Sequence, residues 1–189
     1  MVSQLKVNEI IKQSGSSITI GESGDTVSVP SGATLNVAGS TSGLPDNTPA
    51  FFAYASSNTN LAADTNTKIA LNSEYYDTDN AFDTSNNRFT VPSGEGGKYQ
   101  ISYAVAIKSD ANQEVSGKIY INGSYVDIKS LLVSASVVNT DINASCTTSA
   151  VMELSEGDYI ELYGLHTGSS TEINNKNYSW LQGFKLIGV

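Results

Sequence analysis

Apolar and polar residues alternate with a period of two along most of this chain, a pattern that predicts β-strands. The clearest case is residues 98–107, where one face is apolar and the other is small or polar. Further apolar runs follow, separated by Gly, Asn, Asp or Ser turns at intervals of roughly 8 to 15 residues. We count about nine such strands and find no segment with helical periodicity, so we predict an all-β fold arranged as a β-sandwich.

Two turns are marked clearly in the sequence. Asn122-Gly123 lies between β-prone runs, and this dipeptide favours a tight hairpin because both residues tolerate positive φ. Residues 155–158, Ser-Glu-Gly-Asp, separate two further apolar runs and predict a second connection between neighbouring strands.

The aromatic residues divide the chain into two parts. Residues 1–47 contain no Phe, Tyr or Trp, whereas residues 48–189 contain all five Phe, all ten Tyr and the single Trp. Since large aromatic side chains dominate globular cores, we predict that the globular domain, called the knob, covers residues 48–189. The boundary falls in a Gly-, Ser- and Pro-containing stretch typical of linkers.

Residues 1–47, called the stalk, repeat a small unit in which two apolar residues alternate with a polar one before a turn. The apolar positions of these units are Ile18, Ile20, Val27, Val29, Leu35 and Val37. A segment of this length cannot bury its apolar face alone. We therefore predict a β-structured stalk in which three identical chains turn their apolar faces inward. A hairpin packed on the knob is the alternative interpretation. The apolar start of the chain, with Leu5 and Val7, is predicted to be a helix or a strand that attaches the stalk to another protein.

Charge limits the classes of partner. The net charge is −9, so we expect neither nucleic acid nor an anionic membrane surface as a partner. No apolar run is long enough for a transmembrane helix, and the first residues do not resemble a secretory signal. We therefore expect the protein to be made in a cytoplasm.

The chain is poor in residues for catalysis. It has one His, His166, and one Cys, Cys146, which are too few for a triad or for a His/Cys metal site. We therefore predict no catalytic residues, no cofactor and no enzymatic activity. Asp77, Asp79 and Asp83 loosely resemble a calcium loop, but they lack its glycine and its bidentate glutamate, so we favour a structural turn.

Ligand recognition, if the knob performs it, is predicted in polar loops at its far end. The candidate residues are Asp110, Asn112, His166, Asn174 and Asn175. Most tyrosines are expected to pack the sandwich or a threefold interface, although their flat amphipathic rings also suit sugars. The alternating ones are Tyr99, Tyr103, Tyr120, Tyr125, Tyr159 and Tyr163.

Several motifs of the knob resemble the globular head of complement component C-one-q and its tumour-necrosis-factor-like relatives. They are Tyr76-Asp77, Phe89-Thr90-Val91-Pro92, Gly97-Lys98-Tyr99, Gly157-Asp158, and Ser179-Trp180-Leu181-Gln182-Gly183-Phe184. The resemblance covers about residues 48–189 and implies a ten-stranded jelly roll that assembles as a homotrimer. The residues then expected in the knob core or in the trimer interface are Tyr99, Ile101, Tyr103, Val105, Trp180 and Phe184.

The chain also departs from the animal pattern, since it has no collagen-like Gly-x-y stretch. Its first part, including Val29-Pro30-Ser31-Gly32 and Leu35-Asn36-Val37, resembles a leader of virion proteins of marine tailed bacteriophages. This resemblance implies a homotrimeric virion structural protein at the particle surface, such as a capsid decoration, head fibre or spike. It would bind other virion proteins through its N-terminus. The alternative is a tail-fibre tip or other adhesin that binds a host-surface glycan or receptor.

Overall fold

The structure is a computed structural model. It describes residues 10–11, 14–15, 17–37, 47–110, 113–126, 133–137, 140–167, 172–173 and 178–187, and within these ranges it leaves out the side chains of 59, 107–110, 113, 133–137, 140–144 and 172–173. The chain divides into two compact units, Met1–Leu44 and Pro45–Val189.

In the first unit, two tight turns organise residues 17–37. The amide of Asp25 donates to the carbonyl of Glu22 at 3.0 Å, and the amide of Ala33 donates to the carbonyl of Pro30 at the same distance. Within the single chain, residues 17–37 form no strand.

Fourteen strands lie within the described part of the second unit. They are β1 (Ala50–Tyr54), β2 (Thr59–Asn60), β3 (Thr67–Lys68), β4 (Ser73–Asp77), β5 (Phe82–Asp83), β6 (Arg88–Thr90), β7 (Gly97–Asp110), β8 (Gln113–Ile121), β9 (Ser124–Tyr125), β10 (Val133–Val137), β11 (Thr140–Leu154), β12 (Tyr159–His166), β13 (Glu172–Ile173) and β14 (Trp180–Lys185). No helix occurs among the described residues, and the prediction of an all-β fold is confirmed. None of these residues belongs to a helix that could cross a membrane.

Two antiparallel sheets form the sandwich. The five-stranded sheet has the order β11-β7-β14-β1-β4. The second sheet has the order β10-β8-β12-β6-β5, with β3 paired to β12 and β9 paired to β8, which makes seven strands. The short strands β2 and β13 pair with each other. Neighbours in each sheet are mostly distant in sequence, as expected when a chain winds between two layers.

The core lies between the sheets because alternate residues of each strand point inward. Phe51 of β1 stacks on Phe89 of β6 across the two sheets, with ring centroids 4.3 Å apart and planes 11° from parallel. Both rings are fully buried. Burial of a side chain of this size stabilises the fold by about 1.5–3 kcal/mol, so this pair is a main contact between the layers.

Both predicted turns are present. Asn122 and Gly123 have φ of 52° and 74°, and they join β8 to β9 with Ile121 opposite Ser124. Residues 155–158 connect β11 to β12, and Gly157 has a φ of 81°. Each turn uses its glycine where an L side chain would be strained.

Candidate functional site

The outward face of the five-stranded sheet carries a group of aromatic side chains that we call the aromatic patch. Its members are Phe52, Tyr54, Tyr75, Tyr76 and Trp180. In β1 and β14 these residues alternate with buried ones, so the strand pleat directs them away from the core.

Ring contacts hold the aromatic patch together. Phe52 stacks on Trp180 with centroids 5.5 Å apart, and Tyr54 stacks on Tyr75 at 4.7 Å. Tyr75 and Tyr76 belong to the edge strand β4, and their side chains are 71% and 47% exposed. A contiguous exposed surface of this kind favours contact with another molecule.

The outward face of the seven-stranded sheet carries a second group, Tyr120, Tyr125 and Tyr163, which we call the tyrosine face. The rings of Tyr120 and Tyr163 stack with centroids 3.9 Å apart, and those of Tyr120 and Tyr125 lie 5.9 Å apart. All three side chains are partly exposed. Their strands β12, β8 and β9 are neighbours, so the three rings form a row across the sheet.

Charged side chains border the tyrosine face. Lys118 Nζ lies 5.6 Å from the centroid of the Tyr125 ring and donates to Oδ1 of Asn66 at 2.6 Å. Lys68 Nζ donates to Oε1 of Glu161 at 2.5 Å. The pKa of Tyr163 is raised, mainly because the phenol is desolvated and also because it lies near the Glu161 carboxylate. Its hydroxyl therefore stays protonated over the whole neutral range.

The structure places the residues predicted for the knob core in two environments. Tyr99, Ile101, Tyr103 and Val105 are fully buried between the sheets. Trp180 and Phe184 are partly exposed instead and alternate with the buried Leu181 and Gly183, which puts them on the outward face of the five-stranded sheet.

His166 does not lie in an exposed loop, so this part of the ligand-loop prediction is wrong. It is the last residue of β12, is 1% exposed, and contacts the carbonyl of Leu61 through Nε2 at 3.0 Å. The alternation of β12 directs it into the core. Asn112, Asn174 and Asn175 lie outside the described residues, as does the side chain of Asp110.

The carboxylates considered for calcium accept hydrogen bonds within turns. Asp77 accepts from the amide of Phe82 at 2.7 Å, and Asp79 accepts from the Thr78 hydroxyl at 2.5 Å. Asp83 accepts hydrogen bonds from the amides of residues 85 and 86 and from the side chain of Asn86. These bonds, the one from the Asn86 side chain first, lower the pKa of the Asp83 carboxyl. No group of three or more His, Cys, Asp or Glu suited to a metal occurs among the described residues.

Cys146 faces the core from β11 and is 1% exposed. Burial raises the pKa of its thiol to about 11, so the group stays protonated at neutral pH. Because the thiolate is the nucleophilic form, this side chain is a structural one.

The six apolar residues predicted for the stalk core are all exposed in the single chain. Their exposures lie between 45% for Val37 and 67% for Ile20. An isolated chain therefore leaves this apolar row in water, while the threefold arrangement predicted for it stays a prediction.

Sequence reasoning missed the tyrosine face. It expected Tyr120, Tyr125 and Tyr163 in a core or a threefold interface, and the structure places them on the outward face of the second sheet. The signal was the strand period: Ile119 and Leu162 are inward, so their neighbours must point outward.

Comparisons with known proteins support the fold. No protein-family model matches the chain. YqcC, an uncharacterized protein of Bacillus subtilis, is 33% identical over 101 residues, which are 51% of this chain. The match covers 26% of YqcC, so the chain spans about a quarter of the length of this curated relative.

Several solved structures share the architecture at low sequence identity. The Eiger TNF of S. frugiperda superposes with a TM-score of 0.55 and 13% identity, covering 74% of this chain and 92% of its own. Murine APRIL at pH 5.0 superposes with a TM-score of 0.53 and 14% identity, covering 72% of this chain and 98% of its own. The globular domain of zebrafish complement 1qA superposes with a TM-score of 0.48 and 17% identity, covering 73% of this chain and 97% of its own. The superpositions with the Eiger TNF and with APRIL confirm the predicted jelly-roll fold and its likeness to tumour-necrosis-factor-like proteins.

Proposed function

We propose that this chain is the subunit of a homotrimeric bacteriophage virion protein, a capsid decoration, head fibre or spike that displays its knob on the particle surface. The aromatic patch is the observation that carries the proposal of self-association. Such a surface is stabilised when other copies cover it, because burial removes the apolar ring faces from water.

The arrangement of the aromatic patch suits three copies around one axis. Phe52, Tyr54 and Trp180 lie on central strands of the five-stranded sheet, and Tyr75 extends the surface to its edge. Aromatic residues are enriched in the buried centres of protein interfaces. Jelly rolls of the tumour-necrosis-factor type commonly form homotrimers, which supports the same assembly here.

The stalk provides the second contact between the copies. Its exposed apolar row, represented by Ile20, Val29 and Leu35, is covered when three chains place these residues at a common axis. The start of the chain then attaches the trimer to other virion proteins.

The placement on a virion rests on the resemblance of residues 1–47 to phage leaders. The similarity to a Bacillus subtilis protein supports a bacterial setting. The alternative function is that of a tail-fibre tip or other adhesin, and the partly exposed tyrosine face favours it as a surface for a ligand.

The assembly is tested by light scattering on the purified chain. We expect a mass of about 60 kDa, three times the 19.9 kDa chain. Trp180→Asp and Phe52→Asp should lower the mass, because each buries an unpaired charge in the interface. Tyr178→Asp is the matched control, since Tyr178 is an exposed aromatic outside the aromatic patch. A monomer for the unaltered chain, or variants that keep the full mass, would overturn the trimer.

The location is tested by immunogold microscopy of phage particles from the bacterium that produces the chain. Label on the capsid supports decoration or a head fibre, and label at the tail tip supports the adhesin. Particles without label, next to label on other cell material, would contradict the virion proposal.

A further inference from the structure

The side chain of Asn122 ties the hairpin turn between β8 and β9 to the turn at residues 155–158. Its Nδ2 donates to Oδ1 of Asp158 at 2.7 Å, and its Oδ1 accepts from the amide of Tyr159 at 3.0 Å. The backbone amide of Asn122 also donates to the carbonyl of Tyr159 at 3.0 Å. Both polar atoms of the carboxamide are therefore engaged, and we call its two side-chain hydrogen bonds the carboxamide clamp.

The dipeptide Asn122-Gly123 is also chemically reactive. The backbone nitrogen of Gly123 can attack Cγ of Asn122, because glycine has no side chain to shield that nitrogen. The new C–N bond closes a five-membered imide, and the side-chain nitrogen leaves as ammonia with the proton of the Gly123 amide. Water then opens the imide at either carbonyl carbon, which yields aspartate or isoaspartate. Both residues are exposed, so water reaches the site.

The carboxamide clamp opposes this reaction. Nδ2 must leave as ammonia, so its hydrogen bond to Asp158 has to break. That bond has a charged acceptor, which makes it stronger than a bond between neutral groups. The Asp158 carboxylate is itself held in place, because its Oδ2 accepts from the amide of Ser155 at 2.7 Å. The folded knob therefore stabilises the intact amide.

We propose that Asn122 is a site of spontaneous deamidation that the carboxamide clamp protects, and that its conversion opens the junction between the two turns. The product carries a carboxylate oxygen in place of Nδ2. A donor that faces Asp158 thus becomes a second negative charge, and attraction becomes repulsion. Isoaspartate also adds one carbon to the backbone of the turn, which disturbs the register that the turn sets between β8 and β9. The inference depends on neither the trimer nor the virion location.

Peptide mapping by mass spectrometry tests the protection on the full-length protein after incubation in mildly alkaline buffer. Cleavage after lysine releases residues 119–129, in which Asn122 is the one asparagine, so the conversion of amide to acid is assigned directly. We expect slow conversion in the folded protein and fast conversion in urea. Folded Asp158→Ala should convert roughly tenfold faster than the unaltered chain, because a hydrogen bond to a charged group no longer holds the carboxamide.

Glu156→Gln is the matched control, since it removes a charge from the same turn. The partners of Glu156 are Ser93 and Gly94, so the carboxamide clamp stays intact and conversion should proceed at the rate of the unaltered chain. The protection is disproved if Asp158→Ala converts no faster than the unaltered chain, or if Glu156→Gln is accelerated equally. A peptide that stays unconverted in urea would show that the dipeptide is not reactive.

Asn122→Asp tests the consequence of conversion, because it places the carboxylate of the product on an unaltered backbone. Its thermal unfolding midpoint should lie below that of the unaltered chain at neutral pH. The difference should shrink in acid, since protonation of one of two neighbouring carboxylates removes their repulsion. Equal midpoints at neutral pH would overturn the claim that deamidation opens the junction between the turns.

Discussion

Tyr103 of one sheet lies directly over Gly117 of the other. Its hydroxyl donates to the Gly117 carbonyl at 2.7 Å, and a Cβ placed on Gly117 would lie 2.3 Å from Cε2 of the Tyr103 ring. Tyr103 is fully buried and cannot move aside into solvent. The missing side chain at 117 therefore creates the space that lets the ring of Tyr103 reach the opposite sheet.

Gly117→Ala should destabilise the knob by about 1–3 kcal/mol, because a methyl group added to a close-packed core forces the ring and the strands apart. Thermal unfolding at a fixed protein concentration measures the loss. Tyr103→Phe is the companion variant: it keeps the ring and removes only the hydrogen bond, at a cost of about 1 kcal/mol. If Gly117→Ala unfolds at the same temperature as the unaltered chain, the two sheets are not close-packed at this point.

The ion pair of Lys68 and Glu161 should contribute more to stability than that of Lys185 and Glu95. Only 9% of the Glu161 side chain is exposed, whereas 37% of the Glu95 side chain is exposed. Lys68→Met leaves a nearly buried carboxylate without its cation, and we expect a loss of about 2–3 kcal/mol. Lys185→Met should cost about 1 kcal/mol or less, because water screens the second pair.

Urea unfolding of both single variants, with Lys68→Met/Glu161→Gln as the compensated double variant, measures these losses. The double variant should recover part of the stability, because it removes the unpaired charge. Equal losses for the two lysines would show that burial of Glu161 does not govern the energy of its pair.

Alternation was sufficient to predict the buried face of β7, and turn chemistry was sufficient to predict the hairpin at Asn122-Gly123. Both depend on local properties, the two-residue period of a strand and the tolerance of positive φ. The layer to which each strand belongs is a non-local property. Phe51 meets Phe89 only because β1 and β6 lie in different sheets, and no local pattern encodes that pairing.

The same limit explains the errors at the candidate site. His166 ends a run with polar neighbours and resembled a loop residue, but pairing of β12 with β8 extends through it and buries it. Tyr120 and Tyr163 become neighbours because their strands pair, although 43 positions separate them in the numbering. The two-residue alternation in each strand was sufficient to predict the face to which each tyrosine points. Their stacking could not be predicted without the order of strands in the sheet.

Stability should fall in acid as Glu156 becomes protonated. The pKa of this carboxyl is lowered from 4.5, first by the hydroxyl of Ser93, which donates to Oε1 at 2.6 Å, and next by the amide of Gly94. A lowered pKa in the folded state contributes stability that is present above the unfolded value and is lost as the pH falls through the folded value. The loss attributable to this group therefore begins below about pH 4.5.

Denaturant unfolding from pH 7 to pH 3 measures this dependence. Glu156→Gln should make the acid side of the profile flatter, and Ser93→Ala should do so in part. Glu74→Gln is a control of opposite sign, because desolvation first and the nearby Asp77 second raise the pKa of Glu74. Its removal should increase stability at pH 7 and steepen the acid loss. A profile unchanged by Glu156→Gln would contradict the assigned role of the Ser93 contact.

Replacement of three apolar stalk residues by aspartate should separate the stalk while the knob stays trimeric. Ile20→Asp/Val29→Asp/Val37→Asp places three charges per chain at the predicted axis, where each unpaired buried charge costs several kcal/mol. We expect the first unit to become sensitive to protease, while light scattering still gives the mass of a trimer because the aromatic patch is intact.

The matched control uses the polar neighbours in the same alternation. Thr19→Asp/Ser28→Asp/Asn36→Asp adds the same charge to the same three units, but on the face predicted to remain in water. It should leave protease resistance nearly unchanged, because exposed charges that lack close partners cost little. Equal protease sensitivity of the two triple variants would contradict an inward apolar row, and it would favour a stalk segment that packs without a threefold axis.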